Sequence, residues 1–306
     1  MSSERIVSFL PSATEVLYQL GAGDQLVGVT HECKFPEAAK RKPRVINPSF
    51  NPSKMNSKEI DNKIAELMQY GRDIYVINDR ILKEAKPDLI VAQGVCEVCS
   101  PFTKEIKKAI SILDYEPDIL ILDTHDLDDI LISIMNVAER VGRIKEGRKL
   151  IDSLQNRIDS IRMRPKGNKP KVLCVEWIDP PFTAGHWIPQ MIEMAGGING
   201  LGSSRKPSYR IDIKEIIKFD PDKIILMPCG FDIERTLIEF EHVKTSNEWK
   251  SLLSDQNVET FAVDAGQYFS KPSPRIVTGL EILAKIIHPD IFVDQLVPKN
   301  SFIRIQ

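Results

Sequence analysis

The feature that most constrains this chain is a proline-free run from residue 126 to residue 162. Apolar side chains recur along it mostly three or four positions apart, as at Ile130, Ile134, Val137, Val141, Ile144, Leu154, Ile158 and Ile161. That is the period of one helical face. Read as a single helix at ~1.5 Å per residue, it extends roughly 55 Å. No small domain is wide enough to cover such a helix, so it is expected to bridge two lobes. The prolines at 165 and 170 close the run.

On either side of it, short apolar stretches alternate with amphipathic ones. Residues 5–9 read as a strand. Pro11-Ser12-Ala13-Thr14-Glu15 then opens a helix, with Ser12 as N-cap and Glu15 at capping-box spacing, and Gly21 closes it. Strands are expected at 26–29, 74–77, 88–92 and 119–122, and helices at 58–68 and 103–113. Residues 35–58 carry prolines at 36, 43, 48 and 52 and read as a loop. The second half repeats the theme, with strands at 171–176, 223–227 and 258–262 and helices at 186–194, 213–218, 231–240 and 274–287. Lys86-Pro87-Asp88 and Phe219-Asp220-Pro221-Asp222 each set a Pro-Asp turn before an apolar strand. The expectation is an α/β fold of two Rossmann-like lobes with parallel sheets, joined by one long helix, with a ligand cleft between the lobes. The domains are expected at 1–125, 126–163 as the bridging helix, and 164–306.

Composition narrows the function. The 306 residues are 42% hydrophobic and 27% charged, an ordinary globular balance. The 41 basic side chains against 43 acidic ones exclude the basic surplus of a nucleic-acid binder. No apolar run reaches the ~18 residues needed to span a membrane. The N-terminus shows no basic stretch followed by an apolar one, so a cytoplasmic location is expected, extracytoplasmic if the sequence is a trimmed form. The odd count of 5 cysteines disfavours a closed disulfide framework.

Ligands of open α/β sheets bind outside the carboxyl ends of the strands. The residues expected just past those ends are chemically distinctive. They include Ser12, His31-Glu32-Cys33, Cys96 and Cys99, Glu176-Trp177, Gly185-His186-Trp187, Cys229 and Tyr268-Phe269. Cys174 falls inside a strand. Thiolate and imidazole are ligands for zinc, iron and copper, so Cys33, Cys96, Cys99 and Cys229 are candidates to hold a metal ion. Structural lining of the cleft, or a redox pair at Cys96 and Cys99, remain open beside that reading. Trp177, Trp187, Tyr268 and Phe269 offer flat apolar surface of the kind a macrocycle stacks on. Ser273 and Arg275 open the last helix and could meet amide or phosphate groups. No nucleophile elbow, phosphate-binding loop or His-Glu-x-x-His is present, and nothing places a nucleophile beside a base, so no enzyme is expected.

Pro11-Ser12-Ala13-Thr14-Glu15, Lys86-Pro87-Asp88-Leu89-Ile90, Pro180-Pro181-Phe182-Thr183-Ala184-Gly185, Ala195-Gly196-Gly197 and Ser273-Pro274-Arg275 stand in this order along the chain. In that order and spacing the chain resembles the cobalamin-binding proteins of ABC importers. These belong to the periplasmic-binding-protein class with a helical backbone, whose members also serve haem and ferric siderophores. The resemblance implies a monomeric solute-binding protein for a metal-containing chelate, cobalamin or a related corrinoid first, haem or a ferric siderophore as alternatives. Ser12, His31, Glu32, Glu176, Trp177, His186, Trp187, Tyr268, Phe269, Ser273 and Arg275 would line its site. It also implies ABC-transporter membrane subunits as partners, docked by one acid on each lobe, with Glu105 and Glu215 near the matching helix starts. The second reading, of another class, is a cytosolic protein holding a metal ion or cluster directly on its cleft thiols.

Overall fold

The structure is a computed structural model and describes residues 5–94, 103–253 and 258–305. It divides into two compact units. The first comprises Met1–Lys54, Asn62–Leu154 and Pro272–Pro274; the second comprises Met55–Asp61, Gln155–Lys271 and Arg275–Gln306. The run 126–163 passes from the first unit to the second at Leu154 and Gln155.

The first half of the chain runs β1 (Ile6–Ser8), α1 (Pro11–Gln19), β2 (Leu26–Thr30), β3 (Arg44–Pro48), α2 (Ser57–Gln69), β4 (Tyr75–Ile77), α3 (Asp79–Ala85), β5 (Leu89–Gln93), α4 (Thr103–Leu113) and β6 (Asp118–Leu122). Its sheet has the order β4-β3-β2-β1-β5-β6. All neighbours are parallel except β3 and β4, which are antiparallel. The central strand β1 is buried along its whole length, as a strand covered on both faces must be. Val7, Val45, Leu82, Ile90 and Ala109 form the core between sheet and helices. β3 was expected as part of a loop. Pro43 and Pro48 bracket Val45 and Ile46 and mask a strand only five residues long.

The single long helix is two. α5 (Leu127–Arg140) and α6 (Ile144–Arg162) are separated by Val141-Gly142-Arg143. Gly142 adopts φ +68°, and the Arg143 N–H returns to the Ala138 carbonyl at 2.7 Å. That is a glycine helix stop of the left-handed kind. Gly147 then lies so close to α5 that a Cβ there would stand 2.6 Å from Ala138 Cβ. The apolar period survives the break because both helices bury one face.

The second half runs β7 (Lys171–Trp177), β8 (Phe182–Thr183), α7 (Ile188–Met194), β9 (Ile198–Asn199), β10 (Tyr209–Arg210), α8 (Ile213–Phe219), β11 (Lys223–Leu226), α9 (Ile233–Val243), α10 (Asn247–Leu253), β12 (Glu259–Val263), α11 (Ala265–Tyr268), α12 (Ile276–Ile287) and β13 (Phe302–Arg304). The sheet order is β10-β8-β7-β11-β12-β13, with β9 beside β7. β7, β11 and β12 are mutually parallel, while the pairings β7–β8, β8–β10 and β12–β13 are antiparallel. Both sheets are therefore mixed rather than purely parallel, because only central strands need a helical crossover. Leu173, Val175, Ile216, Ile224, Leu226 and Trp249 pack the core.

Candidate functional site

In the second unit, the carboxyl ends of the parallel strands are Trp177, Leu226 and Val263. Hydrogen bonds knit together the loops that follow them. Cys229 donates its N–H to the Glu176 carbonyl at 3.0 Å, and Gly266 donates to the Phe231 carbonyl at 2.8 Å. The Gly230 N–H reaches Ser270 Oγ at 2.9 Å. The Glu176 carboxylate accepts the Gly185 N–H at 3.3 Å, and the Trp187 indole donates to the Phe269 carbonyl at 2.9 Å. Loops far apart in sequence thus form one surface at the strand ends, where an α/β sheet takes its ligands.

The Gly-His-Trp segment has a steric basis. A Cβ on Gly185 would lie 2.4 Å from both the Lys206 oxygen and the Ser208 nitrogen. The segment 206–208 can pass only because residue 185 has no side chain. His186 follows at φ +54°, donates its N–H to the Lys206 carbonyl at 2.7 Å, and holds its half-buried ring 5.6 Å from that of Trp187. Trp187 and Phe269 are buried, at 6% and 3% exposure. They pack the interior of the unit and do not offer the stacking faces expected of them. Trp177 and Tyr268 are half-buried and do reach the surface. Burial, then the neighbouring Asp264, pushes the Tyr268 phenol above its ordinary value. Asp264 holds Gln267 through two hydrogen bonds, at 2.9 and 2.6 Å. Gln267 in turn accepts from Arg275 at 3.4 Å.

Sequence reasoning missed the surroundings of Trp177. Its indole nitrogen donates to the Ser57 carbonyl at 3.2 Å. Its ring meets Phe231 at 5.3 Å, and the Arg235 guanidinium lies 3.8 Å from the Phe231 ring centre.

In the first unit, α1 starts at Pro11 with Leu10 as N-cap and no side-chain cap bond. Ser12, expected as the N-cap, is buried in the first turn at 2% exposure. Proline at the first helical position lacks the N–H a cap would satisfy, and the helix starts two residues earlier than expected. Ser273 is buried and belongs to this unit. After β2, His31 is half-buried, with its ring 5.7 Å from Tyr75 and Nε2 3.6 Å from Glu32. Burial lowers the affinity of His31 for a proton, against the opposing pull of Glu32. Arg44 fixes this loop, donating to the carbonyls of Thr30 and, at 3.1 Å, Cys33.

Cys33 is fully buried, with its sulfur 3.1 Å from Thr14 Oγ1 and 3.4 Å from Thr30 Oγ1. Cys174 lies inside β7, where burial drives its thiol strongly toward the protonated form. Cys229 is half-buried after β11. Cys96 and Cys99 lie outside the described residues. Among the described residues, no three His, Cys, Asp or Glu side chains come together to hold an ion. Cys33 is a packed core residue for which two threonine hydroxyls are partners, which is why it sits where a ligand was expected.

The two acids expected to dock on a partner differ. Glu105 is buried at 4% exposure, and burial raises its carboxyl above the ordinary range. It does not stand out as a surface acid. Glu215 is exposed and closes the capping box of α8, accepting the Asp212 N–H at 2.9 Å. Among the described residues, no helix is long and apolar enough to cross a membrane.

Comparison with known proteins agrees with this architecture. The family described as periplasmic binding protein matches residues 6–257. A vitamin B12-binding protein of Vibrio cholerae serotype O1 is 24% identical over 283 residues, covering 91% of this chain and 87% of that one. An uncharacterized ABC transporter substrate-binding lipoprotein of Bacillus subtilis is 24% identical over 298 residues, covering 94% and 81%. A periplasmic haem-binding protein from Roseiflexus sp. RS-1, in its apo form, superposes with a TM-score of 0.64 at 20% identity, covering 96% and 99%. The names lipoprotein and periplasmic overturn the cytoplasmic location expected from the N-terminus.

Proposed function

The chain belongs to the periplasmic binding protein family, a solute-binding protein of the ABC-transporter type, and from that premise we propose that its solute is a metal-containing tetrapyrrole of the corrinoid class, cobalamin first. The observation that carries this reading is the surface at the strand ends of the second unit. Trp177, His186 and Tyr268 are half-buried there, beside the polar chain Asp264, Gln267 and Arg275. Aromatic faces suit a flat macrocycle. A carboxamide and a guanidinium suit the amide and phosphate groups of a corrinoid.

The relative named vitamin B12-binding protein supports the same reading. Haem is the competing solute, since a fold neighbour is named haem-binding. His186 is the imidazole of this surface that could meet an open metal position. Membrane subunits of an ABC transporter would be the partners, with Glu215 as the exposed acid on the second unit.

A spectrophotometric titration tests this. Aquocobalamin is expected to shift its absorption bands at one equivalent per chain, and hemin to compete poorly. Saturable, tighter binding of hemin with no corrin response would replace corrinoid by haem. No response to either would remove the tetrapyrrole reading.

A further inference from the structure

Residues Met55–Asp61 belong to the second unit although the chain on both sides of them belongs to the first. Side chains from three parts of the second unit hold this short segment. The Glu239 carboxylate accepts both the Ser57 N–H, at 2.9 Å, and the Ser57 hydroxyl, at 2.8 Å. Arg235 donates to the Met55 carbonyl at 2.9 Å. Arg210 pairs with Asp61 at 2.9 Å. The Trp177 indole donates to the Ser57 carbonyl.

The contacts close on themselves. Arg235 and Glu239 stand four residues apart on α9, hence on one helical face. Asp232 caps that helix, accepting the Arg235 N–H at 2.9 Å, and so sets where the face points. From that face one side chain grips the backbone at residue 55 and the other at residue 57. Arg235 also lies over Phe231, Phe231 lies against Trp177, and Trp177 returns to Ser57. Ser57 and Glu239 are buried, at 1% and 5% exposure. A carboxylate withdrawn from water this far needs its hydrogen bonds. Among its partners are the N–H and hydroxyl of the residue whose carbonyl orients Trp177.

We infer that Glu239 is a positioning residue: it fixes the 55–61 segment through Ser57 and, through the Ser57 carbonyl, the orientation of the Trp177 ring at the strand ends. This deepens the proposed function, and rests on it only for the consequence that a mispositioned Trp177 weakens solute binding. The positioning itself is read without any solute.

Iodide quenching of tryptophan fluorescence on the full chain gives that reading. Of the three tryptophans, Trp187 and Trp249 are buried and Trp177 is half-buried, so the quenchable signal belongs to Trp177. Glu239→Ala is expected to raise the quenching constant about twofold as the segment loosens. Glu239→Gln keeps an oxygen for both Ser57 bonds and is expected to stay near the unmodified protein. Trp177→Phe removes the quenchable signal and so checks its assignment. Should Glu239→Ala fail to fold, Ser57→Ala, which removes the hydroxyl bond alone, is expected to give a smaller rise in the same direction. In a parallel titration, aquocobalamin affinity is expected to fall about tenfold in Glu239→Ala and to recover in Glu239→Gln. Unchanged quenching in the folded alanine variants overturns the positioning role, whatever the affinity does. Shifted quenching in a protein that binds no tetrapyrrole upholds the positioning and overturns the proposed function instead.

Discussion

Gly185→Ala should destabilise the second unit in a way that isolates how the Gly-His-Trp loop is built. A Cβ at residue 185 meets the Lys206 oxygen and the Ser208 nitrogen, both at 2.4 Å, and the Pro207 carbonyl carbon at 2.6 Å. All three are backbone atoms, so no side chain can swing away. Restoring ordinary contact requires a shift of about 1 Å in segment 206–208, which places the cost at the upper end for overpacking, about 3 kcal/mol. That shift also loosens the bond from the His186 N–H to the Lys206 carbonyl. For a unit of this size the melting midpoint should fall by roughly 6–12 °C. Differential scanning calorimetry measures it. Gly167→Ala is the control, because a Cβ there meets nothing within 4 Å and the residue carries no positive φ. If Gly185→Ala melts within about 1 °C of that control, the close approach does not constrain this loop and the reasoning fails.

Three further outcomes are expected. Arg157→Ala removes a fork held at 2.9 and 2.7 Å on Glu281, leaving that carboxylate buried with Thr278 beside it. Because Arg157 is itself 37% exposed, urea denaturation should give a loss of about 2 kcal/mol rather than the full penalty of a buried pair. Cys33→Ala should cost about 1 kcal/mol by removing the buried sulfur that the Thr14 and Thr30 hydroxyls meet, while elemental analysis finds the metal content of the purified protein unchanged; a stoichiometric ion lost with Cys33 would restore the thiol reading. Burial holds His31 below its ordinary value of 6.5. As pH falls through 6.5 the unfolded chain takes up the proton first, so stability is lost between that value and the lower folded-state one, with no further loss below both. His31→Gln should flatten that acid-side slope in urea midpoints between about pH 7.5 and pH 5.5.

The α/β alternation was legible because strand and helix periods differ and Pro-Asp turns mark the strand starts. The break between α5 and α6 was not, although Gly142 was in view. A helical period continues across a short left-handed stop when both helices bury the same kind of face, so periodicity alone cannot report it. β3 hid between Pro43 and Pro48 for the opposite reason, a local signal strong enough to mask two core residues. In the second unit, Glu176, Trp177, His186 and Tyr268 lie at or just past strand ends, where the strand pattern puts them. Residue type then misled at Trp187 and Phe269, which pack inward, and at Cys33, which serves two threonines. The hold of Arg235 and Glu239 on residues 55–57 spans about 180 positions of sequence. Its only local trace is the four-residue spacing on α9, a spacing shared by any amphipathic helix.

On the proposed function, the surface at the strand ends of the second unit receives a corrinoid. Isothermal titration of the full chain with cyanocobalamin, alongside Trp177→Ala, tests it most directly. A single saturable site per chain is expected, weakened about tenfold or more when the Trp177 ring is removed. Heat of dilution alone, or equal affinity in the unmodified protein and Trp177→Ala, would contradict it.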